Sequence, residues 1–269
     1  MNRPGPAPSA VRAEWTKLRT LPLLPWLVVA VAAATVLAGA ATVAPVDTGN
    51  CPTPAGCHED VVRLSLAGVR FGQVPAVVLA ILVIGGEYAT GTIQTTLAAT
   101  PRRLVVLRAK ALVVAATVLV AGAAGTLGSL AVGRLLLPGN GFTPAHGYPA
   151  LSLADGPTLR AAAGTVLYLV LIALLALGVG VAVRESAAAV STVLGLLFLA
   201  PVVVEMVADE RWRERLARLA PMDAGLAVQA TRNLAELPVG PWAGLGVLAG
   251  YAAAALCLGG LLFVRRDAA

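Results

Sequence analysis

The chain has 269 residues, of which 58% are hydrophobic and 13% charged, with a mean hydropathy of +0.83. A soluble domain of this length needs far more charge to cover its surface. Its 20 lysines and arginines exceed 14 acids, for a net charge of +6, but they are spread along the chain, which argues against a nucleic-acid partner.

The first element is a predicted amphipathic helix over 9–20, in which Val11, Trp15 and Leu18 recur at helical spacing between Arg12, Glu14, Lys17 and Arg19. Such a helix lies in the membrane interface. Pro22 and Pro25 then turn the chain into a charge-free span over 23–44, long enough to cross about 30 Å of hydrocarbon. Nothing ahead of this block reads as a cleavable signal peptide. The loop that follows holds Cys51 and Cys57, with His58 and Asp60 beside them. In an oxidising compartment a Cys51–Cys57 disulfide is favoured over free thiols or a metal site.

A second span is expected over 66–84 and carries Arg70 and Gln73, which are costly in lipid. Both are conduit candidates. Arg70 also fits snorkelling to the headgroups, and Gln73 also fits a bridge between helices. After this span Glu87 and Tyr88 mark the exit from the membrane and Gly91 permits a turn. A short helix is expected over 92–97, including Thr92 and Thr95. Pro101 stops it, and Arg102 and Arg103 hold the re-entry.

The third span is expected over 111–133. The uncharged stretch 135–154 is not a span, because its prolines and glycines would leave backbone groups bare in lipid. Spans four, five and six are placed at 161–183, 187–207 and 242–264, with a second amphipathic helix over 209–220 carrying Trp212, Leu216 and Leu219. Dense basic clusters beside span ends lie on the side of both termini, which orients the chain with N- and C-termini inside. The expected fold is therefore an all-α integral membrane protein of six spans. It has an interfacial helix in front, a cytoplasmic connector helix between spans two and three, and an outer helix between spans five and six.

Chemistry of its own is hard to find. Lys17 and Lys110 are the chain's two lysines, and neither closes a phosphate-cradling glycine loop. Its two histidines, His58 and His146, fall in loops, and Ser129 has no base on any span to activate it. The expectation is no enzyme, with no metal or cofactor held by this chain.

Several segments together resemble the permease subunits of type-two ABC transporters, a bacterial exporter class. These are the interfacial helix Glu14-Trp15-Thr16-Lys17-Leu18, the connector Glu87-Tyr88…Gly91-Thr92 ending in Thr100-Pro101-Arg102-Arg103, Leu177-Gly178…Arg184, Leu219-Ala220-Pro221, and the closing Arg265-Arg266-Asp267. The loops 51–63 and 138–156 match nothing in that family. The resemblance implies a plasma-membrane assembly of two permeases, identical or related, with two cytoplasmic ATPase subunits that hold ATP and magnesium. It implies an export path along spans one, two and five, for cargo such as drugs or antibiotics. It also implies that the ATPase docks on Glu87, Tyr88, Gly91, Thr92, Thr95, Pro101, Arg102 and Arg103, and against the helix bearing Glu14, Trp15, Lys17 and Leu18. The rival readings are a membrane anchor or sensor without transport, and an intramembrane enzyme.

Overall fold

Six helices are long and apolar enough to cross a membrane, and none of the described residues forms a strand. The computed structural model describes residues 6–50, 59–99 and 102–265. Cys51, Cys57 and Pro101 lie outside them. The chain is an all-α, multi-pass membrane protein.

Helix α1 (Pro6–Thr20) precedes the first span, α2 (Leu24–Val43). The second span is a broken rod. Helices α3 (Val61–Leu66) and α4 (Val69–Ala89) meet at Ala67–Gly68, so the apolar run Val61–Ala89 starts and ends beyond the expected 66–84. Two residues explain its shape. Asp60 caps α3, accepting from the Arg63 backbone N–H at 3.0 Å. At Gly68 the backbone of α2 presses in so closely that a Cβ would lie 2.0 Å from the Thr35 carbonyl oxygen and 2.3 Å from the Gly39 nitrogen. Only a residue without a side chain fits there.

After the connector helix α5 (Thr92–Ala99) comes α6 (Arg103–Leu136). Its 34 residues amount to about 51 Å of helix, more than the bilayer needs. It therefore projects beyond the expected 111–133 at both ends. Helix α7 (Gly156–Val183) is the central strut, with Tyr168, Leu169, Ile172 and Ala176 wholly buried against α4, α6 and α11 (Pro241–Arg265). Helix α8 (Ser186–Glu205) packs far less tightly, with buried positions Ala189, Val193 and Leu197.

Both α1 and the last turn of α11 lie at one end of the bundle, called proximal here. Arg103, at the start of α6, donates to the Phe263 and Val264 carbonyls at 2.8 and 3.3 Å, satisfying acceptors that the end of α11 leaves open. At the distal end the proline- and glycine-rich stretch folds back as a cap. Phe142 and Tyr148 meet edge-on at 5.0 Å and bury with Leu137 and Leu151, which is why it does not span. Helix α9 (Glu210–Leu219) falls within the expected amphipathic segment 209–220, and Trp212 is exposed on it. It leads into α10 (Pro221–Leu226), a short buried helix that the sequence did not announce. The following residues are latched to the second span. Asp60 accepts from the backbone N–H groups of Thr231 and Arg232 at 2.5 and 3.1 Å and from the Thr231 hydroxyl at 2.7 Å.

Candidate functional site: a charge clamp at the proximal end

Four charged side chains from three helices meet beneath α1. Lys110, on α6, is 1% exposed and donates to Glu14 Oε2 at 2.6 Å and lies 2.7 Å from Glu87 Oε1. Lys17 reaches Glu14 Oε1 and Glu87 Oε1, each at 3.0 Å, and the Thr96 hydroxyl on α5 at 2.8 Å. Glu14 and Glu87 are 5% and 11% exposed. Each acid bridges two ammonium groups and each ammonium bridges two acids, so the cluster is neutral. An isolated charge buried to this depth would be strongly unfavourable, and alternation is what makes the cluster tenable. A lysine suits it because its compact ammonium can point three hydrogens at separate acceptors.

The clamp joins α1, the end of α4, the connector α5 and the start of α6. It also rearranges the expected faces of α1. Leu18 is buried as the apolar stripe implied, but Glu14 is buried too, while Trp15 is 43% exposed. The helix turns an acid inward because Lys110 waits below it. The resemblance implies Glu87 as one of the residues on which an ATPase docks. Its carboxylate instead lies inside this chain, between Lys17 and Lys110. Lys110, one of the two lysines that close no glycine loop, is the buried cation that joins both acids.

Burial acts to lower the pKa of Lys17, but hydrogen bonds to Glu14 and Glu87 and their charges outweigh it, and the net shift is upward from 10.5. A raised folded-state pKa contributes stability that is complete below the ordinary lysine value and is lost as pH climbs through the higher folded one. Thermal stability is thus expected to show a decline above about pH 10.5 that Lys17→Gln makes smaller. An alkaline decline of equal size in that variant would show that Lys17 is not its source.

The connector is two-sided. Gly91 has φ +68 with no atom near its missing side chain, so it supplies the left-handed turn that α5 needs. Ile93 and Leu97 pack against the core, while Thr92 and Thr95 are exposed. The Tyr88 ring lies under the Arg184 guanidinium at 5.4 Å, tying the exit of α4 to the turn between α7 and α8. Arg102 is exposed just ahead of α6.

The two conduit candidates separate. Gln73 is fully buried. It accepts from the Tyr168 hydroxyl at 2.5 Å and donates to Met222 Sδ at 3.4 Å. It therefore bridges α4, α7 and α10, the helix-bridging role, with each of its polar atoms spent on a neighbouring helix. Arg70 is exposed and lines a distal cleft of about 590 Å3 with Arg63, Arg232 and Glu236. Asp223 lies in the field of Arg70. Its carboxyl is raised above the ordinary range by burial, against the pull of that guanidinium.

Compared with known proteins, the sequence matches no family model and no curated protein. The site must be interpreted from its own chemistry.

Proposed function

We propose that this chain is the membrane-spanning permease subunit of an ATP-driven exporter of the type-two ABC class. It would lie in a bacterial plasma membrane with both termini in the cytoplasm. The reading rests on the resemblance in the interfacial helix and connector, and the observation that carries it is the clamp. Through Glu14, Lys17, Glu87, Thr96 and Lys110, α1 and α5 are fastened to the ends of spans two and three. Force applied to the exposed side of α5 then reaches α4 and α6 without first bending a loose loop. A chain with no P-loop has to receive work through such a contact.

In this proposal each of two permeases receives one copy of a separate ATPase, which docks here on Thr92, Thr95 and Arg102, and ATP and magnesium stay on the ATPase. The inward-facing clamp residues hold the docking surface and do not form it. A second permease, identical or related, would lie against α2 and α8, whose described residues bury few positions: Val31, Thr35, Gly39 and Val43 on α2, and three on α8.

The test is co-purification of an ATPase with the tagged chain, together with export and ATP turnover of the reconstituted complex. Thr95→Trp changes the exposed side of α5 and is expected to lower ATPase recovery about tenfold, the equivalent of ~1.4 kcal/mol, with the melting temperature unchanged. Gly91→Val, strained at positive φ, is expected to leave the ATPase bound while uncoupling its turnover from export. Normal recovery and normal coupling in both variants would sink the proposal.

A further inference from the structure

The proximal ends of α6 and α11 enclose an apolar groove of about 550 Å3 that belongs to neither the clamp nor the connector. Leu104, Leu107 and Ala111 form one wall, and Leu256, Gly260 and Leu261 form the other. The two helices are tied at the bottom by Arg103 on the Phe263 and Val264 carbonyls. Above that tie Gly260 presents no side chain, and a Cβ there would come within 3.3 Å of Leu107. The groove is therefore a feature of the sequence on both walls.

Among the described residues that line it, Arg108 carries the one formal charge. Arg108 is exposed, and no carboxylate of the described residues pairs with it, since Glu14 and Glu87 are taken up by the two lysines. It sits two residues before Lys110, which is bonded to α1, and about 7.5 Å along the helix from Arg103. Side chains lean toward the N-terminus of their helix, so the Arg108 guanidinium tilts toward the proximal membrane surface, where lipid phosphates lie.

We propose that this groove holds an anionic phospholipid of the proximal leaflet, one acyl chain against Leu107 and Gly260 and the headgroup phosphate on Arg108. A guanidinium fits two phosphate oxygens at once. A zwitterionic head brings its own cation to that phosphate and competes with Arg108, whereas a glycerol head does not. Cationic pockets between spans favour anionic heads for this reason. The proposal requires only that the chain spans a membrane, and it stands or falls apart from the transport reading.

The experiment is native mass spectrometry of the full purified chain released from vesicles of equal parts phosphatidylglycerol and phosphatidylcholine. Wild type is expected to retain phosphatidylglycerol preferentially. Arg108→Gln is expected to cut that preference about fivefold, the effect of one cation near the surface. Arg102→Gln removes a neighbouring cation outside the groove and is expected to move the ratio less. Cys257→Trp fills the groove from its exposed side and is expected to lose both lipids with the melting temperature maintained. An equal fall for Arg102→Gln would assign the preference to general surface charge and overturn the site. So would unchanged retention in Cys257→Trp. A loss of dimer in that variant with lipid unchanged would make the groove a contact between two copies, and would also overturn it.

Discussion

Replacing Lys110 by Met is expected to destabilise the protein by about 3–5 kcal/mol, because it leaves Glu14 and Glu87 facing one remaining ammonium in a buried site. The size follows from geometry. Lys110 is 1% exposed and lies within 2.7 Å of both acids, so its removal forfeits two charge-assisted contacts without admitting water to replace them. Charge balance predicts the remedy. In the double variant Lys110→Met with Glu14→Gln, one lysine and one acid remain, and at least about 1 kcal/mol of the loss should return through coupling of neighbours. Denaturant unfolding in detergent reads both quantities. If the double variant is less stable than Lys110→Met alone, then the cluster does not act as a balanced unit.

The second large effect is expected at Gly68. A methyl group there would meet backbone atoms of α2 at 2.0 and 2.3 Å, and backbone cannot rotate aside as a side chain can. Gly68→Ala should therefore force α2 and α4 apart, at a cost of about 3 kcal/mol, the upper range for overpacking. Gly86, on the same helix, has nothing within 4 Å of the corresponding position. Gly86→Ala should be neutral, or stabilising by up to about 1 kcal/mol through helix propensity. Similar melting temperatures for the two alanine variants would contradict the close approach of α2 and α4.

The six spans were legible because lipid imposes a simple code, in which charge-free runs long enough to cross must be helices. Helix ends were less legible. Span three, expected from residue 111, lies within α6, which runs back to Arg103. A helix does not stop where the hydrocarbon does, and Lys110 can be buried once Glu14 and Glu87 neutralise it. The members Glu14, Lys17 and Glu87 stood out one by one. Their pairing did not, since two of its contacts, Lys17–Glu87 and Lys110–Glu14, join residues 70 and 96 positions apart. One clue was available: the chain's two lysines each lie beside a span end in a sequence otherwise served by arginine. Helix α10 left no such clue. Six residues including Asp223 have no readable period, and their burial comes from α11 and the turns beside them.

Concentrating both lysines in the clamp has a practical outcome for probing the protein chemically. Reagents for side-chain amines find only two targets in the whole chain. Lys110, almost without exposure, is shielded while the clamp is shut, and Lys17 at 42% is half-open. The ratio of labelling at these two positions is a built-in gauge of whether α1 has lifted from α6. It needs no introduced residue, and it can be read in intact membranes.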